Sequence, residues 1–157
     1  MSKRPKQLAN PQAGKRVRQS ASPSPSKMPR AAYSPESFNQ MCPVWRLSQI
    51  DIDGRWGHST LDRVTLLQEI LPKLKNYESM TWASITADKK RNHSVSVGNL
   101  IPDARKRLVE LGIDEDRLFR FRLTGQQRVW GIRDRDTFAI LWWDPQHEIC
   151  PSNYADN

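Results

Sequence analysis

The sequence predicts a small α+β domain: a largely antiparallel sheet in the order β-α-α-α-β-β-β, helices packed on one face, and a disordered basic tail in front. Three observations lead there. Residues 117–152 read as three consecutive strands and hold three of the six tryptophans. Two upstream stretches carry apolar residues at helical spacing. Residues 1–40 hold eight Lys or Arg against the single acid Glu36, whereas the other 117 residues hold 17 basic and 16 acidic side chains. Most of the +8 net charge therefore sits in the tail, and the domain expected over residues 41–157 is nearly neutral.

The tail mixes Lys/Arg pairs with Pro and Ser (SASPSPSKMPR) and lacks the apolar periodicity that offsets the entropy of ordering. Val44 to Ile52 has a partial period of two and predicts a first strand, stopped by the turn signal Asp53-Gly54. Trp56, in the loop that follows, is expected to cover the core. Ser59 is the expected N-cap of a helix whose buried stripe is Leu61, Val64, Leu67, Leu71 and Leu74, and Pro72 should kink or end it near Leu71. Tyr77 to Ile85 predicts a short second helix with Trp82 and Ile85 inward. Ala87 to His93 predicts a polar loop with Lys89, Lys90 and Arg91 in a row. Ser96 or Asn99 caps a third helix with Pro102 in its first turn, and Gly112-Ile113 ends it.

Then come the three strands. Phe119, Phe121 and Leu123 alternate with Arg120, Arg122 and Thr124, the pattern of a half-buried strand. Arg128 to Arg133 is a second strand, and Asp134-Arg135-Asp136 a hairpin tip. Phe138 to Trp143 is continuously apolar, as in a central strand covered on both faces, and Pro145 ends it.

The longest apolar run, Phe138 to Trp143, is six residues, against the roughly 20 that span a bilayer, so no membrane segment is expected. Two cysteines and no apolar leader point to a reducing cytoplasm. His147 and Cys150 lack the paired spacing of a zinc site even if Cys42 or His93 joined them, and no cofactor motif is present. The chemistry-bearing residues that remain are the strand arginines (Arg117, Arg120, Arg122, Arg128, Arg133), the cations Lys89, Lys90 and Arg91 of the loop, and a polar end of Asp144, His147 and Glu148. Arginine binds phosphate bidentately, and histidine titrates where it can move a proton to or from a ribose hydroxyl. Such a set suits metal-independent RNA cleavage.

The run Phe121-Arg122-Leu123-Thr124-Gly125, then Gln127 to Ile132, a hairpin, Phe138 to Trp142 and finally His147 resembles the C-terminal half of the RelE/YoeB superfamily of small toxins. The resemblance implies a ribonuclease of a toxin–antitoxin pair. In it Arg128 contacts the scissile phosphate and His147 acts as general acid or base; Arg120, Arg122, Arg133, Lys89, Lys90 and Arg91 are expected to bind substrate by their own charge. The implied partners are RNA or ribosome-associated RNA and an antitoxin protein. The chain departs from the family in its long basic leader, in Glu148 where an aromatic is usual, and in having no counterpart of the helix-borne acidic base. The alternative is a non-enzymatic nucleic-acid-associated or protein-interaction module, in which the basic arm holds backbone phosphate by counterion release.

Overall fold

The chain divides into two units, Met1–Ala32 and Tyr33–Asn157. This computed structural model describes residues 38–151, all in the second unit. The tail expected over residues 1–40 lies outside the described residues except for its last three. There Phe38 and Asn39 form a helical turn, and the Asn39 side-chain oxygen accepts from Arg133 Nη2 at 2.8 Å.

The elements are β1 (Val44–Arg46), a helix α1 over residues 63–78, α2 (Trp82–Thr86), β2 (His93–Ser96), α3 (Pro102–Glu110), β3 (Arg117–Arg122), β4 (Arg128–Asp134) and β5 (Thr137–Asp144). They build the expected α+β domain around one five-stranded sheet in the order β1-β5-β4-β3-β2. Only the β1–β5 pair is parallel; β5–β4, β4–β3 and β3–β2 are antiparallel. The central strands are the alternating and continuously apolar segments of the sequence. Both edge strands are short, three residues in β1 and four in β2.

Two features differ from expectation. The strand β2 is unexpected: it starts at His93, the last residue of the expected polar loop, and runs to Ser96, one of the two expected caps of the third helix. It offers one buried apolar residue, Val95, in four positions, too few for a period of two to register. The helices also lie on both faces of the sheet. Ala104 and Leu108 of α3 pack with Val95, Leu118, Trp130, Leu141 and Trp142, whereas Ile70, Leu74, Trp82 and Ile85 of α1 and α2 pack with Phe119, Phe121, Val129, Phe138 and Trp143. With two apolar faces to cover, helices on one side alone would leave Trp130 and Trp142 in water.

A bulge sharpens this two-sidedness. Trp130 pairs with Trp142 but Gly131 pairs with Ile140, so Leu141 is the extra residue and joins Trp142 on the same face. Gly131 is required there, because a Cβ would meet the Ala139 carbonyl oxygen and lie 2.6 Å from the Phe138 ring.

The first strand is shorter than its pattern. After Arg46 the chain bends so that Asp51 turns inward, accepting from Arg107 Nε at 2.9 Å, Arg107 Nη2 at 2.8 Å, Trp142 Nε1 at 3.0 Å and Gly54 N at 3.1 Å. Trp56 covers the core as expected, 5.7 Å from the Trp142 ring. In α1 the cap is Asp62, not Ser59. The helix does not stop at Leu71 but passes through a π-helical turn, Leu66–Ile70, into Leu71–Glu78. Proline lacks the N–H of the regular ladder, and the wide turn just before Pro72 absorbs that break. The turn also rotates the apolar stripe. Val64, Leu67 and Leu71 are exposed, while Leu74 is buried and Leu61 partly buried as expected, and Ile70 joins them in the core. The third helix keeps its Pro102 start and its Gly112 stop, the latter at φ 66°. Among the described residues no helix is long and apolar enough to cross a membrane.

Candidate functional site

Side chains alternate along β3, so Leu118, Arg120 and Arg122 share one face while Arg117, Phe119 and Phe121 share the other. Cross-strand pairing carries the first set sideways. His93 of β2 lies opposite Arg120, which lies opposite Trp130 of β4, which lies opposite Trp142 of β5. One row further on, Arg122 lies opposite Arg128 and Arg128 opposite Asp144. The core under α3 ends at Trp130 and Trp142, and the polar members of these two rows form a cluster on the same face.

The last member arrives from the turn after β5. Asp144 is fully buried, and its carboxylate accepts from Trp130 Nε1 (3.2 Å), Glu148 N (2.8 Å) and Ile149 N (3.1 Å). These bonds fold residues 145–149 back over the sheet and hold His147 in the left-handed region, at φ 60°. His147 Nε2 then lies 2.7 Å from Arg120 Nη1. A guanidinium has no acceptor atom, so Arg120 donates and Nε2 accepts, which leaves the ring proton of neutral His147 on Nδ1.

Charge in the cluster is crowded. Burial, together with Arg128, Arg120 and Arg122, pushes the His147 imidazole below its ordinary pKa, against a smaller opposing pull from Asp144. Burial, with help from Arg120 and Arg122, pushes Arg128 down to about 10. Burial also lowers Arg120. No carboxylate lies within ion-pair distance of Arg120, Arg122 or Arg128 among the described residues. The nearest acid, Asp144, spends its oxygens on backbone and indole donors.

Two buried donor nitrogens of the cluster have no hydrogen-bond partner: Arg120 Nε and Arg128 Nε. Unpaired buried donors are uncommon, at a cost of about 1–3 kcal/mol each. The cluster is short of acceptor atoms.

The expected site residues divide accordingly. Arg120, Arg122, Arg128 and His147 come together. Arg128, 5% exposed, is partly committed to structure, since its Nη1 donates to the carbonyls of Thr124, Gly125 and Gln127 and so closes the β3–β4 loop. The arginine in contact with His147 is Arg120. Arg133 does not join: one residue out of phase with Arg128, it points to the opposite face, stacked 4.1 Å from the Trp82 ring. Lys89, Lys90 and Arg91 are exposed in the turn before β2, which Asn92 ties to the sheet by accepting from Arg122 N at 2.9 Å and donating to the Ile85 carbonyl at 3.2 Å.

The residue absent from the expected substrate set is His93. Its place opposite Arg120 depends on β2, which the sequence pattern does not reveal. Cys42 is exposed and Cys150 buried, both as free thiols. Among the described residues no three His, Cys, Asp or Glu side chains gather as a metal-binding group. No family model, curated protein or solved structure matches the chain.

Proposed function

We propose that the cluster around Arg120 and His147 binds a phosphodiester of RNA and that the protein is a metal-independent ribonuclease, the toxin of a toxin–antitoxin pair acting in the cytoplasm on free or ribosome-associated RNA. The observation that carries this is the shortage of acceptors: three arginines and two histidines meet without a free carboxylate, and the buried Nε donors of Arg120 and Arg128 lack partners. A phosphate brings several acceptor oxygens and a compensating charge.

Arg120 and Arg122 grip the phosphate, and Arg128 adds buried positive charge that stabilises the extra negative charge of the pentacovalent transition state. Turning Arg120 toward the phosphate frees His147 Nε2. That nitrogen then takes the proton of the 2′-hydroxyl. An antitoxin that covers this face would silence it.

The test is cleavage of single-stranded RNA by the full chain in the presence of a chelator, followed by analysis of the RNA ends. The expected products carry 2′,3′-cyclic phosphate and 5′-hydroxyl ends. Arg120→Ala and His147→Gln should each lower the rate by about 10²-fold or more, and Arg133→Ala, on the other face, should leave it within a few-fold. RNA that is bound in a salt-sensitive manner but left intact would point to the non-enzymatic module instead.

A further inference from the structure

We infer that His93 is the second proton-transfer group of this site, the general acid that protonates the leaving 5′-oxygen. The inference rests on the ribonuclease proposal and deepens it. Its basis is position. His93 pairs with Arg120 across β2 and β3, and directly opposed residues project to the same face with Cβ atoms about 5 Å apart. The pair one step along, Val95 and Leu118, is buried in the core under α3, which fixes that face. His147 reaches the same arginine from the turn after β5, at 2.7 Å. A phosphate held by Arg120 therefore has one imidazole on each side.

The two histidines are not equivalent. The Arg120 donor requires His147 Nε2 to be unprotonated, which suits a base. His93 has no such donor. Burial above all, with the charges of Arg120 and Arg117 on β3 and of Arg128 on β4, holds its pKa below the ordinary value, against a smaller opposing pull from the Lys89 carbonyl. The incoming phosphate offsets those cations and shifts His93 toward the charged acid.

The step balances. The 2′-hydroxyl proton passes to His147 as the 2′-oxygen bonds phosphorus. The bond from phosphorus to the 5′-oxygen breaks, and His93 gives that oxygen its proton. The products are a 2′,3′-cyclic phosphate and a 5′-hydroxyl, and exchange with water resets both rings.

The experiment compares the full-length wild type, His93→Gln and His147→Gln on a diribonucleotide and on its analogue with sulfur in place of the bridging 5′-oxygen. A thiolate leaves without a proton, so the analogue needs no acid. His93→Gln should lose about 10²-fold or more on the oxygen substrate, recover to within about tenfold of wild type on the sulfur substrate, and lose the alkaline limb of its pH–rate profile. His147→Gln should stay slow on both. A His93→Gln enzyme that keeps both its rate and its alkaline limb overturns the inference, as does one that sulfur fails to rescue. A wild type that cleaves neither substrate overturns the ribonuclease proposal itself.

Discussion

Single residues decide whether the cluster can act, and Asp144 decides most. Its carboxylate holds an indole N–H and two backbone N–H groups in the turn that carries His147. An amide at that position would present N–H groups to N–H donors. Asp144→Asn should therefore cost about 3 kcal/mol, read as a lower urea midpoint. A midpoint equal to wild type would mean that the turn is held by other contacts. The identities of Arg120, Arg128 and His147 were legible in the sequence because strand alternation and a terminal histidine mark them. The contact of His147 with Arg120 in place of Arg128 was not, since it depends on a turn of positive φ whose geometry Asp144 sets.

At the level of elements, local pattern served best where packing agreed with it. The Pro102 start and Gly112 stop of α3 are backbone requirements, visible in any context. In α1 the pattern placed Leu61 and Leu74 correctly but not Val64, Leu67 and Leu71, which are exposed. Sequence spacing assumes 3.6 residues per turn throughout, and the π-helical turn Leu66–Ile70 breaks that assumption just ahead of Pro72. This register is testable by paired substitutions. Leu74→Ala, at a site 7% exposed, should cost about 3 kcal/mol, and Leu71→Lys, at a site 44% exposed, should change stability by less than about 0.5 kcal/mol. Chemical denaturation of the two variants checks it, and comparable losses would restore the unbroken stripe.

Across the whole molecule, Asp51 links the segment after β1 to Arg107 of α3 and to Trp142 of β5. Arg107 above all, with help from Trp142 and the Gly54 backbone, holds the Asp51 carboxyl down at about 2, against the opposing effect of burial. A pKa lowered on folding stabilises the native state above the unfolded value, near 4, and that contribution is lost as pH falls toward 2. Thermal melts between pH 5 and pH 2 should show wild type losing stability steeply through this window. Asp51→Asn should begin lower and change less, so that the two curves converge at the acid end. Parallel curves would remove Asp51 from the acid transition.

The sequence by itself determined the α+β class, the β3-β4-β5 meander, the start and stop of α3 and the arginine and histidine content of the candidate site, because alternation, proline, glycine and charge act locally. The tertiary structure decided that helices cover both faces, that β1 lies parallel to β5, and that β2 exists as the strand that sets His93 beside Arg120. It also set Arg133, on the face opposite Arg128, against the Trp82 ring of α2. Such outcomes follow from which surfaces must be buried together, and no window of neighbouring residues contains that information.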